Sequence, residues 1–126
     1  MAITLGSVQL RIMRVLWDEG EASARRITEV LSETRPIAHS TVQTLLRQLA
    51  VKKAVTHEKQ DRTFVFRPLV AEGEVSRSAA HDLLSRVFQG SISGLVGHLL
   101  DDETVPPDEL ARLRALVDAK VKETQS

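Results

Sequence analysis

A chain of 126 residues, 42% hydrophobic and 27% charged, has the length of one ordinary domain or two very small ones, and its composition excludes a wholly disordered polypeptide. The lack of cysteine excludes disulfides, thiolate zinc sites and a cysteine nucleophile. Formal charge is zero, 17 basic against 17 acidic side chains, so the total says nothing about a partner.

Hydrophobic spacing predicts a first helix capped at Ser7, with Val8, Ile12, Val15 and Leu16 on one face. Trp17 is expected in the core beneath the third helix, and Asp18-Glu19-Gly20 forms the exit turn. Ser23 caps a second helix carrying Ile27, Val30 and Leu31, which stops at Thr34-Arg35-Pro36. A third helix starts near His39 or Ser40, buries Val42, Leu45, Leu46 and Leu49, and ends near Lys52-Lys53. The period then changes to two. Val55–Glu58 and Thr63–Arg67 read as strands of a hairpin whose tip is Lys59-Gln60-Asp61-Arg62. Phe64 and Phe66 share one face of it and are expected to turn to the core.

The remainder reads as helical. A fourth helix runs from about Ala71 to Gln89, closed by Gly90 in a left-handed conformation. A fifth follows a Ser91 cap and ends at Asp101-Asp102-Glu103, where acids oppose the helix dipole. A sixth opens at Pro106-Pro107-Asp108-Glu109 and frays from Lys122. No apolar run reaches the roughly 18 residues of a membrane span, and the N-terminus lacks a signal-peptide layout. A cytoplasmic protein without membrane insertion is expected. The fold class is therefore mainly α. A winged helix-turn-helix domain over residues 1–70 has three helices and a two-stranded wing, and residues 71–126 form a three-helix dimerisation region.

Charge is divided between these halves. Residues 1–70 carry 11 basic and 7 acidic side chains, and residues 71–126 carry 6 and 10. No carboxylate lies between Arg35 and Glu58, a stretch in which one would repel phosphate. The outward face of the third helix presents Ser40, Thr41, Gln43, Thr44 and Arg47, side chains of the kind that reach phosphates and base edges. Lys59 and Arg62 add charge from the wing. His39 is either a phosphate contact or a solvated cap. The four histidines lack metal-ligand spacing, and phosphate-loop, nucleophile-elbow and zinc-protease motifs are missing, so no metal, cofactor or enzymatic activity is expected. Two readings remain: a DNA-binding regulator, or a winged-helix protein-interaction module without DNA binding.

The fourth helix has two adjacent apolar residues per turn, Leu83/Leu84 and Val87/Phe88 among them. So wide a stripe on about 55 residues either packs on the first half or is buried against a second copy. Leu95, Leu99 and Leu113 extend the candidate dimer surface.

The stretches Leu5–Trp17, Ser40–Leu49, Val55–Leu69 and Val87–Leu100 together resemble the penicillinase-repressor family of the BlaI/MecI/CopY type. The resemblance implies a homodimeric winged-helix repressor of a palindromic operator, with Thr41, Gln43, Thr44 and Arg47 on the recognition helix and Arg62 on the wing. It implies dimerisation through the last three helices. Resistance members of the family are cut within the fifth helix, at an Asn-Phe bond, in response to a membrane sensor. The matching pair here is His98-Leu99, which departs from that pattern, so a sensor or protease partner is an open expectation. The cysteine-rich copper motif of other members has no counterpart. Ala54 stands where the family has glycine after the third helix, so either Ala54 is left-handed or the exit turn is shifted.

Overall fold

The computed structural model describes residues 3–102 and 104–125. In chain order the elements are α1 (Ser7–Glu19), β1 (Ala22–Ser23), α2 (Ala24–Ser32), α3 (His39–Val51), β2 (Val55–Gln60), β3 (Thr63–Pro68), α4 (Glu72–Arg86), α5 (Ile92–Asp102) and α6 (Pro107–Thr124). The chain is mainly helical, and its helix–helix–helix–hairpin order is that of a winged helix. It falls into two compact units that part between Asp82 and Leu83, inside α4. The first turns of α4 thus go with the first unit, where Val75 is buried beside a small cleft that Ile3 and Val70 also line.

The core of the first unit is built by the predicted stripes together with Met13, which the spacing did not place there. Ile12, Met13 and Leu16 of α1, Ile27 of α2 and Val42, Leu46 and Leu49 of α3 are almost wholly buried. Each contributes about 1.5–3 kcal/mol by leaving water. Among the described residues, every buried side-chain polar atom has a hydrogen-bond partner.

Several local expectations are corrected. The residue preceding α1 is Gly6, not Ser7, and its N–H donates to Gln9 Oε1 at 2.9 Å. Ser23 does cap α2, accepting from the Arg26 N–H at 3.1 Å. The same residue belongs to an unforeseen strand: β1 pairs antiparallel with β3 (Ala22 with Phe66, Ser23 with Val65), so the sheet has three strands in the order β1-β3-β2. The hairpin is tighter than expected, because Lys59 and Gln60 pair with Phe64 and Thr63. Only Asp61 and Arg62 form the turn, at φ 47° and 71°, the left-handed pair of a two-residue hairpin loop.

Trp17 is half-buried, and its indole N–H donates to the carbonyl of Val70 at 2.8 Å, so its polar end is fixed beyond the sheet. Phe66 packs on the core as expected, whereas Phe64 is 50% exposed. After α3 the left-handed residue is Lys53, at φ 63°, and Ala54 is fully buried with its N–H bonded to Leu49 O at 2.9 Å. The left-handed position thus falls one residue earlier, at Lys53, which carries the strain in place of Ala54.

Beyond the first unit, α4 ends at Arg86, earlier than Gln89, with Gly90 left-handed at φ 85°. Ser91 Oγ accepts from the Gly94 N–H at 2.9 Å, the predicted cap of α5. Glu103 of the acidic run lies outside the described residues. α6 is helical through Thr124, two residues past Lys122. From Leu83 onward no described residue is buried. No helix among the described residues is long and apolar enough to cross a membrane.

Candidate nucleic-acid interface

α3 owes its two faces to helical spacing. Val42, Leu46 and Leu49 are buried, which leaves Ser40, Thr41, Gln43, Thr44 and Arg47 exposed together on the other side. Thr44 Oγ1 donates to the Ser40 carbonyl at 3.0 Å, and Arg47 Nη2 donates to Thr44 Oγ1 at 3.2 Å. Arg47 is thereby steadied along the helix while the rest of its guanidinium remains available.

A groove of about 1020 Å³ separates α2 and α3 from the inner face of the sheet. Gln43, Arg47 and Arg62 of the expected site line it. Ser40, Thr41 and Thr44 stand on the α3 surface outside it, and Lys59 lies in β2 opposite Phe64. The groove also takes in Arg25, Thr28 and Glu29 from α2, His39 from α3, and His57, Phe64 and Phe66 from the sheet. Arg25, Thr28 and His57 were missed by sequence reasoning. The Arg25-Arg26 pair after the Ser23 cap was the available signal for the first. Only Arg25 reaches the groove, because Arg26 is held by Glu19 at 3.0 Å. That contact raises the Arg26 pKa and lowers that of Glu19.

The basic side chains from Arg35 to Arg67 are not uniformly available. Lys52 Nζ donates to Thr4 O at 2.7 Å and to Gln9 Oε1 at 2.8 Å. Arg67 pairs with Glu21 at 3.0 Å and Glu58 at 2.8 Å, contacts that raise its pKa, Glu21 foremost. Arg35, Lys53, Lys59 and Arg62 make no ion pair among the described residues. Among the described residues no cluster of three metal-ligating side chains comes together.

In the second unit Leu83 (41% exposed), Val87 and Leu99 are open to solvent, and Leu84, Phe88, Leu95 and Leu113 are half-buried. His98 and Leu99 are exposed on α5, and the His98 ring meets Phe88 edge-on at 5.6 Å.

The model of the penicillinase repressor family matches residues 5–119. The chain belongs to the penicillinase repressor family. Members of the family are transcriptional repressors, not enzymes. The penicillinase repressor of Bacillus licheniformis is 25% identical over 114 residues, which are 90% of this chain and 89% of that one. The transcriptional regulator BlaI of Mycobacterium tuberculosis is 31% identical over 112 residues, 87% of this chain and 80% of its own. Among solved structures, the DNA-binding domain of the repressor BlaI superposes with a TM-score of 0.52 at 29% identity, over 59% of this chain and 93% of that domain.

Proposed function

We propose that this family member is a homodimeric, sequence-specific transcriptional repressor that binds a palindromic DNA operator. In this reading residues 1–70 meet DNA and residues 71–126 join two copies. α3 enters the major groove with Ser40, Thr41, Gln43, Thr44 and Arg47, and the wing brings Lys59 and Arg62 to the neighbouring backbone. The observation that carries it is the carboxylate-free polar face of α3, solvent-exposed beside a turn that holds Arg62.

The dimer is supported by the second unit, whose described side chains include large exposed apolar groups and none that is buried. A second copy covering Leu83, Leu84, Val87, Phe88, Leu95, Leu99 and Leu113 would supply the missing burial and bring two recognition helices to one duplex. His98-Leu99 is the candidate point of inactivating cleavage by a sensor-linked protease, and the protein works in the cytoplasm. The reading involves no cofactor.

Gel shift on genomic fragments over a series of salt concentrations tests the proposal. A repressor selects specific fragments and loses affinity with a log–log slope of about −0.9 per phosphate neutralised. Indifference to DNA in dilute buffer favours the protein-interaction module instead.

A further inference from the structure

A helix in the major groove and a hairpin at the adjacent minor groove are separated by one sugar–phosphate strand. In this chain the space between those two parts is the groove of about 1020 Å³. We propose that the groove seats a phosphodiester strand of the bound duplex, and that His39 and His57 on its two sides take up protons as the strand enters, so that DNA binding tightens on acidification. The inference rests on the DNA-binding reading above.

The groove is built for a polyanion with an apolar sugar. Arg25, Arg47 and Arg62 supply cations from α2, α3 and the hairpin turn, and Glu29 is the one carboxylate among its lining residues. Lys59 shares the His57 face of β2 by strand alternation. Half-exposed Phe64 and the Phe66 ring offer an apolar wall for deoxyribose.

The hydrogen bonds define what His39 can do. The single hydroxyl proton of Thr28 is donated to the Ala24 carbonyl at 2.8 Å. The long contact of 3.4 Å between Thr28 Oγ1 and His39 Nδ1 therefore requires Nδ1 to be the donor. Nε2 is then the nitrogen that gains a proton, and with it a donor for phosphate. His57 meets Phe64 edge-on at 5.2 Å and lies tilted on Phe66 at 5.4 Å. These two rings hold the imidazole on the groove-lining face of the sheet. Histidine is the side chain that changes charge between pH 5 and 8, and adjacent phosphate favours its charged form.

Fluorescence anisotropy with a labelled duplex of mixed sequence tests this without knowledge of the operator, since nonspecific affinity comes from phosphate contacts. Titrations are run over a range of salt at about pH 8 and about pH 6. At the lower pH the salt slope should steepen by about 0.9 for each coupled histidine, and affinity at fixed salt should rise about tenfold or more. His39→Gln and His57→Gln should each remove about half of the increment, and the double variant all of it. His81→Gln and His98→Gln should leave it intact.

Arg25→Ala tests the groove apart from the imidazoles, and should flatten the slope by about 0.9 at both pH values. Glu29→Gln should tighten binding several-fold. Circular dichroism confirms that each variant is folded. A wild-type slope indifferent to pH, an increment that survives the double histidine variant, or an unchanged slope in Arg25→Ala overturns the inference while DNA binding stands. Failure of the wild type to bind any duplex overturns the DNA-binding reading itself.

Discussion

Gln9 Nε2 on α1 donates to Gln48 Oε1 on α3 at 2.9 Å. Gln9 is only 6% exposed, and its carbonyl oxygen accepts from both the Gly6 N–H and Lys52 Nζ. One amide thus ties the N-terminal segment and the first turn of α1 to the last turn of α3. Gln9→Ala should lower stability by about 0.5–1.5 kcal/mol, because part-buried hydrogen bonds are lost while their other partners stay open to water. Urea denaturation measures it, and a midpoint equal to wild type would contradict the assignment.

Lys53 holds φ 63° and Ala54 is buried outside the left-handed region. Lys53→Gly should therefore raise stability by about 1 kcal/mol through relief of backbone strain. Ala54→Gly should lower it, since the site gains nothing from glycine and loses a packed methyl. The two denaturation midpoints should move in opposite directions with unchanged slope.

Base readout and charge are assigned to different residues. Arg47→Ala should cost about 1–3 kcal/mol on the operator and relax sequence preference, whereas Lys59→Ala should weaken all duplexes alike. Competition binding against random duplex separates these outcomes. Equal losses on both DNAs for Arg47→Ala would remove its role as a base contact.

The Glu58 carboxylate accepts from Gln60 Nε2 at 2.8 Å and from Arg67. These contacts, Gln60 foremost, hold its pKa below the ordinary 4.5. A carboxylate depressed in the folded state stabilises above its unfolded pKa, and that contribution is lost as pH falls through the folded value. Glu58→Gln should therefore flatten the pH dependence of stability below 4.5, as read by acid titration of the thermal midpoint. The pair is exposed, so salt should shrink the effect.

Leu83→Asp places a charge on the proposed dimer surface at a side chain already 41% exposed in the single chain. Its first unit should stay folded while sedimentation shows monomers and operator affinity falls. A variant that sediments like wild type would remove Leu83 from the interface.

The helices were legible because their apolar residues recur at i, i+3, i+4 and i+7, as Val42, Leu45, Leu46 and Leu49 do, and because Ser23, Ser91 and Gly90 mark ends by local chemistry. The polar face of α3 followed from the same spacing. What escaped detection depends on partners distant in sequence. β1 has two residues, too few for a period, and exists through pairing with β3. Arg67 counts among the 11 basic side chains of residues 1–70, but Glu21, 46 residues away, occupies it. Phe64 obeys strand alternation but lies near the hairpin end, past the reach of the core. The groove residues Arg25 and His57 come from elements that only the fold brings together.

The hairpin turn has a consequence for recognition. Asp61 and Arg62 both hold left-handed angles where Asn-Gly would be the relaxed choice. The main chain beneath the Arg62 guanidinium is restrained by the flanking pairs Gln60–Thr63 and Lys59–Phe64, so contact with a ligand has mainly the side-chain rotamers left to order, at about 0.5–1.5 kcal/mol. A glycine-rich tip would be less strained, but it would carry no guanidinium at this position.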